Sequence, residues 1–103
     1  MLKPTNTNYL FKFSIVTAVY NVAPYLSEAI DSILSQDIGF IESVELILVD
    51  DGSTDASGAI CDEYQHKYPE NIVVIHKPNG GVASARNAGI AVARGRYVNF
   101  MDS

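Results

Sequence analysis

Basic residues are scarce in this chain, with seven Lys and Arg against twelve Asp and Glu, for a net charge of −5. The seven are scattered, which argues against a nucleic-acid partner, because neutralising a phosphate backbone needs grouped cations. Cysteine is scarcer still. A single Cys61 cannot close an internal disulfide, so nothing points to an oxidising compartment. Lying beside Ile60 in a helical stretch, it reads as a small apolar core residue rather than a reactive thiol. No apolar run approaches the roughly 20 residues that a membrane-spanning helix needs. Met1 to Lys12 is polar and interrupted by Pro4, so it lacks the apolar centre of a signal peptide. The expected location is cytoplasmic, with contact at the inner face of a membrane left to the whole protein.

Glycine is also missing where one large class of proteins needs it. The first apolar run, Phe13 to Tyr20, leads into Asn21-Val22-Ala23-Pro24 with no glycine. A dinucleotide-binding fold requires its glycine-rich phosphate turn at that place. The pattern GxxxxGK[ST] occurs nowhere in the chain, which excludes an ATPase of the phosphate-loop type.

What is present is one small domain of 103 residues, 48% apolar and 18% charged, an ordinary balance for a chain with a packed core. Four apolar runs alternate with three helical patterns. Phe13 to Tyr20, Val44 to Val49, Ile72 to Ile75 and Tyr97 to Met101 read as strands. Their apolarity is nearly continuous, as in strands covered on both faces. Leu26, Ala29, Ile30, Ile33 and Leu34 recur at helical spacing, after a cap-like Asn21 and with Pro24 suited to a first turn; Gly39 ends that region. Ala56 to Tyr68 reads as a second helix with Ser53, Thr54 or Asp55 as cap, with Ile60, Cys61, Tyr64 and Tyr68 inward and Pro69 as its stop. Val82 to Arg94 reads as a third, in which Ala85, Ala88, Gly89 and Val92 face a sheet and Gly95 caps the end. The expectation is an α/β fold, a mostly parallel sheet with helices on both faces joined by right-handed crossovers. Residues 1–11 read as a flexible tail and 12–103 as the domain. Its last strand has no following helix, so the chain reads as the front portion of a longer protein, interrupted within its site.

The candidate site follows from where the strands end. In such sheets ligands bind outside the carboxyl ends of strands. Val44 to Val49 stops there at Asp50 and Asp51, followed by Gly52-Ser53-Thr54-Asp55. Adjacent like charges raise each other's pKa, which favours a ligand's hydroxyls, ring N–H groups or a cation as the reason for the pair. Two readings stand: either acid accepts hydrogen bonds from a nucleotide, or one caps the next helix while the other is solvated. Tyr20 either stacks on a base or packs under the first helix. Arg86, beyond the Asn79-Gly80-Gly81 turn, either meets a phosphate or forms a salt bridge. Asp102, at the fourth strand's tip, is a candidate metal or sugar contact, since hard divalent cations take oxygen ligands. His66 and His76 have no partner at a zinc spacing and read as surface or structural residues.

Four segments in order then resemble one family: Ser14-Ile15-Val16-Thr17-Ala18-Val19-Tyr20-Asn21, Val49 to Asp55, Asn79 to Gly89, and Gly95 to Ser103. Together they resemble the nucleotide-binding half of glycosyltransferase family 2, inverting enzymes with the Rossmann-like GT-A fold. That resemblance implies that Ala18 and Tyr20 frame the base, with Asn21 among the substrate-binding residues. It implies that Asp51 binds the base's ring N–H with Asp50 in support, and that Arg86 lies along the ribose-diphosphate path. It also implies that Asp102 opens the DxD motif that holds Mg2+ or Mn2+, whose final aspartate would be residue 104. The implied partners are a nucleoside-diphosphate sugar, foremost a UDP-sugar, and a glycan or lipid-linked acceptor. The catalytic base is implied to lie beyond residue 103, leaving this portion inactive alone. Ala18-Val19 replaces the Pro-Thr of many members. A phosphoacceptor signalling module, the rival class, needs acids at the first and third strand tips, and neither is there. An inactive scaffold domain stays open as the remaining alternative, decided by whether an aspartate stands at 104.

Overall fold

The computed structural model describes residues 11–35 and 43–101, so expectations that fall on the N-terminal tail, on Gly39 and on Asp102 lie outside the described residues. Within them the chain runs β1 (Phe11–Val19), α1 (Ala23–Leu34), β2 (Val44–Asp51), α2 (Ser57–Lys67), β3 (Ile72–Lys77), α3 (Val82–Val92) and β4 (Gly95–Phe100). All three strand pairings are parallel, in the order β3-β2-β1-β4. This is the α/β architecture that the alternating periodicities predict.

Side-chain alternation along β1 and β2 divides the core into two layers. Ile15, Val19, Leu46 and Leu48 join Leu26, Ile30 and Ile33 of α1 and Cys61 and Tyr64 of α2 on one face. Val16, Ile47, Val49 and Val98 pack with Ala85 of α3 on the other. Every residue of β2 is buried, as expected for an inner strand covered on both sides. The two helices that share a face are pinned where the Tyr64 hydroxyl donates to Asp31 Oδ1 at 2.6 Å. Cys61 is fully buried, as predicted, and burial pushes its thiol up to about 12.

Several local expectations are corrected. Gly95 does not cap α3; it is the first residue of β4, where a Cβ would come within 2.5 Å of the Ser14 backbone nitrogen. Val92 is 43% exposed rather than inward, because α3 approaches the sheet through Ala85 and Gly89. A Cβ at Gly89 would collide with the Val16 side chain, so glycine there is a close-approach requirement. Asn21 is not the cap of α1, whose N-cap position is Val22, although Pro24 does occupy the first turn.

Glu45 stands inside the second apolar run and is completely buried. Its carboxylate accepts hydrogen bonds from Ser14 Oγ at 2.7 Å and Arg94 Nε at 2.8 Å, and from the Arg94 backbone N–H. Ser14 Oγ in turn accepts the Gly95 N–H at 2.7 Å. The network joins β2, β1 and the start of β4 at the amino end of the sheet, opposite the candidate site. A buried charge is tolerated there because donors surround it.

Candidate functional site

Strand order places the site. β2 and β3 lie to one side of β1 and β4 to the other, so connections diverge beside β1, and the crevice at its carboxyl end is where ligands enter such sheets. Tyr20 and Asn21 follow β1 at this rim. Tyr20 is 49% exposed, which sets aside the reading in which it packs beneath α1.

The β1–α1 and β2–α2 turns are clasped together. Asn21 adopts a left-handed backbone, φ 50°, a conformation asparagine tolerates better than most residues. Its Oδ1 accepts from the Thr54 N–H at 2.8 Å and the Asp55 N–H at 3.3 Å, and its own N–H donates to Ser53 Oγ at 3.1 Å. The Val22 N–H donates to Ser57 Oγ at 3.0 Å, and the Ala23 N–H to Asp55 Oδ2 at 3.1 Å. The hydroxyl and acid residues after the acid pair therefore mainly bridge to the first turn. Asp55 alone of the three expected caps binds a helix N–H, that of Ser57, at 2.9 Å. Hydrogen bonds from Ser57 hold its carboxyl below the ordinary range.

Asp50 and Asp51 alternate across β2 and point to opposite faces, and each meets a cation one strand away. The register aligns Asp50 with His76 and Asp51 with Lys77. Asp50 Oδ2 lies 2.8 Å from His76 Nδ1, while its Oδ1 accepts the Ser53 N–H at 3.0 Å. Asp51 Oδ1 accepts from Lys77 Nζ and the Gly80 N–H, both at 2.9 Å. Asp51 Oδ2 accepts the Gly81 N–H at 2.9 Å and, loosely, Asn79 Nδ2 at 3.4 Å. The expected mutual raising of the two acids is thus overturned. Burial would raise Asp50, but hydrogen bonds from Ser53 and His76 outweigh it and hold it low. The Lys77 hydrogen bond holds Asp51 low against its burial, with help from Gly80 and Gly81. Like-charge repulsion yields to opposite charges closer at hand.

Gly52 completes this packing. Its φ of +76° is left-handed, and a Cβ would lie 2.7 Å from the Asn79 backbone nitrogen, so the acid turn and the β3–α3 turn touch. Asn79 Nδ2 also donates to the Asp51 carbonyl at 3.0 Å.

The basic residue in contact with the acid pair's Asp51 is Lys77 rather than Arg86. The Arg86 guanidinium lies over the Phe100 ring at 5.3 Å, at the end of β4 and just ahead of Asp102 in the chain. Ala18 is half-buried and packs with the α3-side core. Asp102 lies outside the described residues, so the structure brings together Tyr20, Asn21, Asp50, Asp51 and their cations and leaves Asp102 aside. Among the described residues, no group of three or more His, Cys, Asp or Glu could hold a metal. The acid pair does not fit one either, since its oxygens are already engaged by cations and N–H donors. Sequence reasoning missed His76 and Lys77. The signal was available: a basic pair ends the third apolar run as an acidic pair ends the second.

A parallel sheet with its exposed aromatic, clasped turns and acids at the carboxyl rim defines a Rossmann-like α/β unit. The model of glycosyl transferase family 2 matches residues 14–103, and the chain belongs to that family. It is 54% identical over 95 residues to the minor teichoic acid biosynthesis protein GgaB of Bacillus subtilis, covering 92% of this chain but 10% of that protein. The structure of Staphylococcus aureus TarS 1–349 in complex with UDP superposes with a TM-score of 0.80 at 34% identity, over 90% of this chain and 27% of that one. The mannosyltransferase PcManGT of Pyrobaculum calidifontis, in complex with GDP-Man and Mn2+, also gives 0.80, at 26% identity over 91% of this chain and 28% of that one. The GT-A-type fold is therefore shared, and the 103 residues span a tenth to under a third of these relatives.

Proposed function

We propose that the whole protein transfers a sugar from a nucleoside-diphosphate sugar, foremost a UDP-sugar, to a hydroxyl of a glycan or lipid-linked acceptor, with inversion. In this reading the described residues form the end of the site that receives the nucleoside. The observation that carries it is the one weakly filled acceptor direction of Asp51. An ionised carboxylate has about four acceptor directions. Three are taken by donors at 2.9 Å, and the fourth holds only the long 3.4 Å contact from Asn79. A base ring N–H can displace that contact, because Asn79 keeps its bond to the Asp51 carbonyl. Uracil and guanine both carry such a ring N–H, in keeping with the UDP and GDP-Man held by TarS and PcManGT.

Tyr20, half exposed beside this position, stacks on the base, a contact that contributes about 1–3 kcal/mol in other nucleotide sites. Asn21 orients Tyr20 through the clasp, with Ala18 beneath. Arg86, steadied on Phe100, faces the diphosphate path. An acceptor hydroxyl, relieved of its proton by a carboxylate beyond residue 103, attacks the anomeric carbon opposite the leaving nucleoside diphosphate. Asp102 is the residue of this chain that would hold Mg2+ or Mn2+, whose chemistry is to offset charge on a leaving diphosphate; PcManGT carries Mn2+. The 103 residues alone catalyse nothing in this reading.

Calorimetry of the whole protein with UDP, with and without Mn2+, tests the proposal. Binding strengthened by Mn2+ is expected. Failure to bind UDP or any other nucleoside diphosphate under both conditions, or sugar transfer by the 103 residues alone, would overturn it.

A further inference from the structure

His76 Nδ1 and Nε2 each lie 2.8 Å from a carboxylate oxygen, Asp50 Oδ2 and Asp62 Oδ1 respectively. Ionised carboxylates accept but do not donate, so a ring holding both contacts must donate from both nitrogens and carry the charge. The bridge ties the tip of β3 to β2 and to α2. From Asp50 the contacts continue to the Ser53 N–H, from Ser53 Oγ to the Asn21 N–H, and so to Tyr20. An edge strand is thereby coupled to the aromatic at the mouth of the site.

We propose that His76 is a positioning residue for the nucleoside end of the donor site: bridged between Asp50 and Asp62, it fixes Asp50 and through it the turn that holds Asn21 and Tyr20. The inference rests on the donor-binding reading above and adds a residue that touches no substrate. The groups facing the ring are Asp50 from β2, Asp62 from α2 and the neutral thiol of Cys61 behind them. Lys77, next on β3, turns to Asp51 on the opposite face. His66, one turn beyond Asp62 on α2, lines a surface pocket together with Asp62. Hydrogen bonds donated to Asp50 and then to Asp62 raise His76 above its ordinary value. A neutral imidazole can donate to only one acid, so deprotonation opens the bridge on one side.

The test is UDP affinity of the whole protein between pH 6 and 8.5 for wild type, His76→Gln and Asp62→Asn, alongside an NMR titration of His76. Dividing wild-type by variant affinity cancels titration of the ligand itself. At pH 6 His76→Gln is expected to bind about tenfold more weakly, the effect of one lost charge-assisted hydrogen bond. That gap narrows as pH rises through the His76 midpoint. Asp62→Asn, an exposed change that spares the fold, keeps wild-type affinity at pH 6 and moves the midpoint down. Equal affinity of His76→Gln and wild type across the range, or a His76 midpoint at or below about 6.5, would overturn this inference alone. Absence of UDP binding by wild type at every pH would overturn the donor reading and this inference with it.

Discussion

Thr17 is the residue whose chemistry is least at home. It lies on β1 in register with Leu48, it is 2% exposed, and its hydroxyl is the buried side-chain atom without a hydrogen-bond partner among the described residues. Replacing Thr17 with valine keeps the shape and removes the orphaned group, so stability should rise by about 1 kcal/mol, read from urea midpoints. Asp51 is the opposite case, a buried acid with every strong contact made. Asp51→Asn turns an N–H group toward donors, and it should destabilise the fold by about 1–3 kcal/mol and weaken UDP binding at least roughly tenfold by calorimetry. The acids were legible in the sequence because they interrupt an apolar run beside a glycine. Their partners were not, because the pairing of Asp50 with His76 and Asp51 with Lys77 is a property of strand register, which no local pattern encodes. Glu45 escaped notice for a related reason: one acid amid five apolar neighbours does not break the period, and only the approach of Ser14 and Arg94 explains it.

The elements themselves were mostly readable, since apolar runs and helical spacing are short-range signals that the packed sheet preserves. β2 and β3 extend two residues past their predicted ends, because the ladder runs on through Asp50, Asp51, His76 and Lys77 even where side-chain apolarity stops. The end of α3 was misread for a physical reason. A glycine after a helix suggests a cap, but Gly95 is glycine to let β4 lie against Ser14. The same logic applies within α3. Alanine at 89 should gain up to about 1 kcal/mol in helix propensity, yet its methyl group meets Val16, a stiff β-branched side chain that is 1% exposed. Overpacking costs about 1–3 kcal/mol. Gly89→Ala should therefore lower the thermal midpoint despite favouring the helix, and a raised midpoint would show that α3 can shift outward freely.

At the scale of the whole molecule, charge is divided between the two ends of the sheet. The amino end is sealed by the Glu45 network, and the carboxyl end holds two buried acids paired with a half-exposed His76 and a largely buried Lys77. Titration of the rim predicts a stability profile. His76 is raised on folding, so its contribution is full below its unfolded value near 6.5 and fades as pH climbs through the higher folded one. Asp50 and Asp51 are lowered, so theirs is present above about 3.9 and fades as pH falls through the folded values. Melting temperatures should form a plateau between about pH 4 and 6.5. The alkaline loss should be slight, since His76 is half exposed and solvent screens its pairs; in His76→Gln it should vanish. The clasp between the first two turns has a kinetic consequence. Asn21 is locked by backbone contacts that need no ligand, so the loss of loop freedom is met when the chain folds and not when a donor arrives. On the proposed donor-binding reading, capture should meet turns already ordered, with its rate set by diffusion and dehydration of the entering base rather than by loop rearrangement.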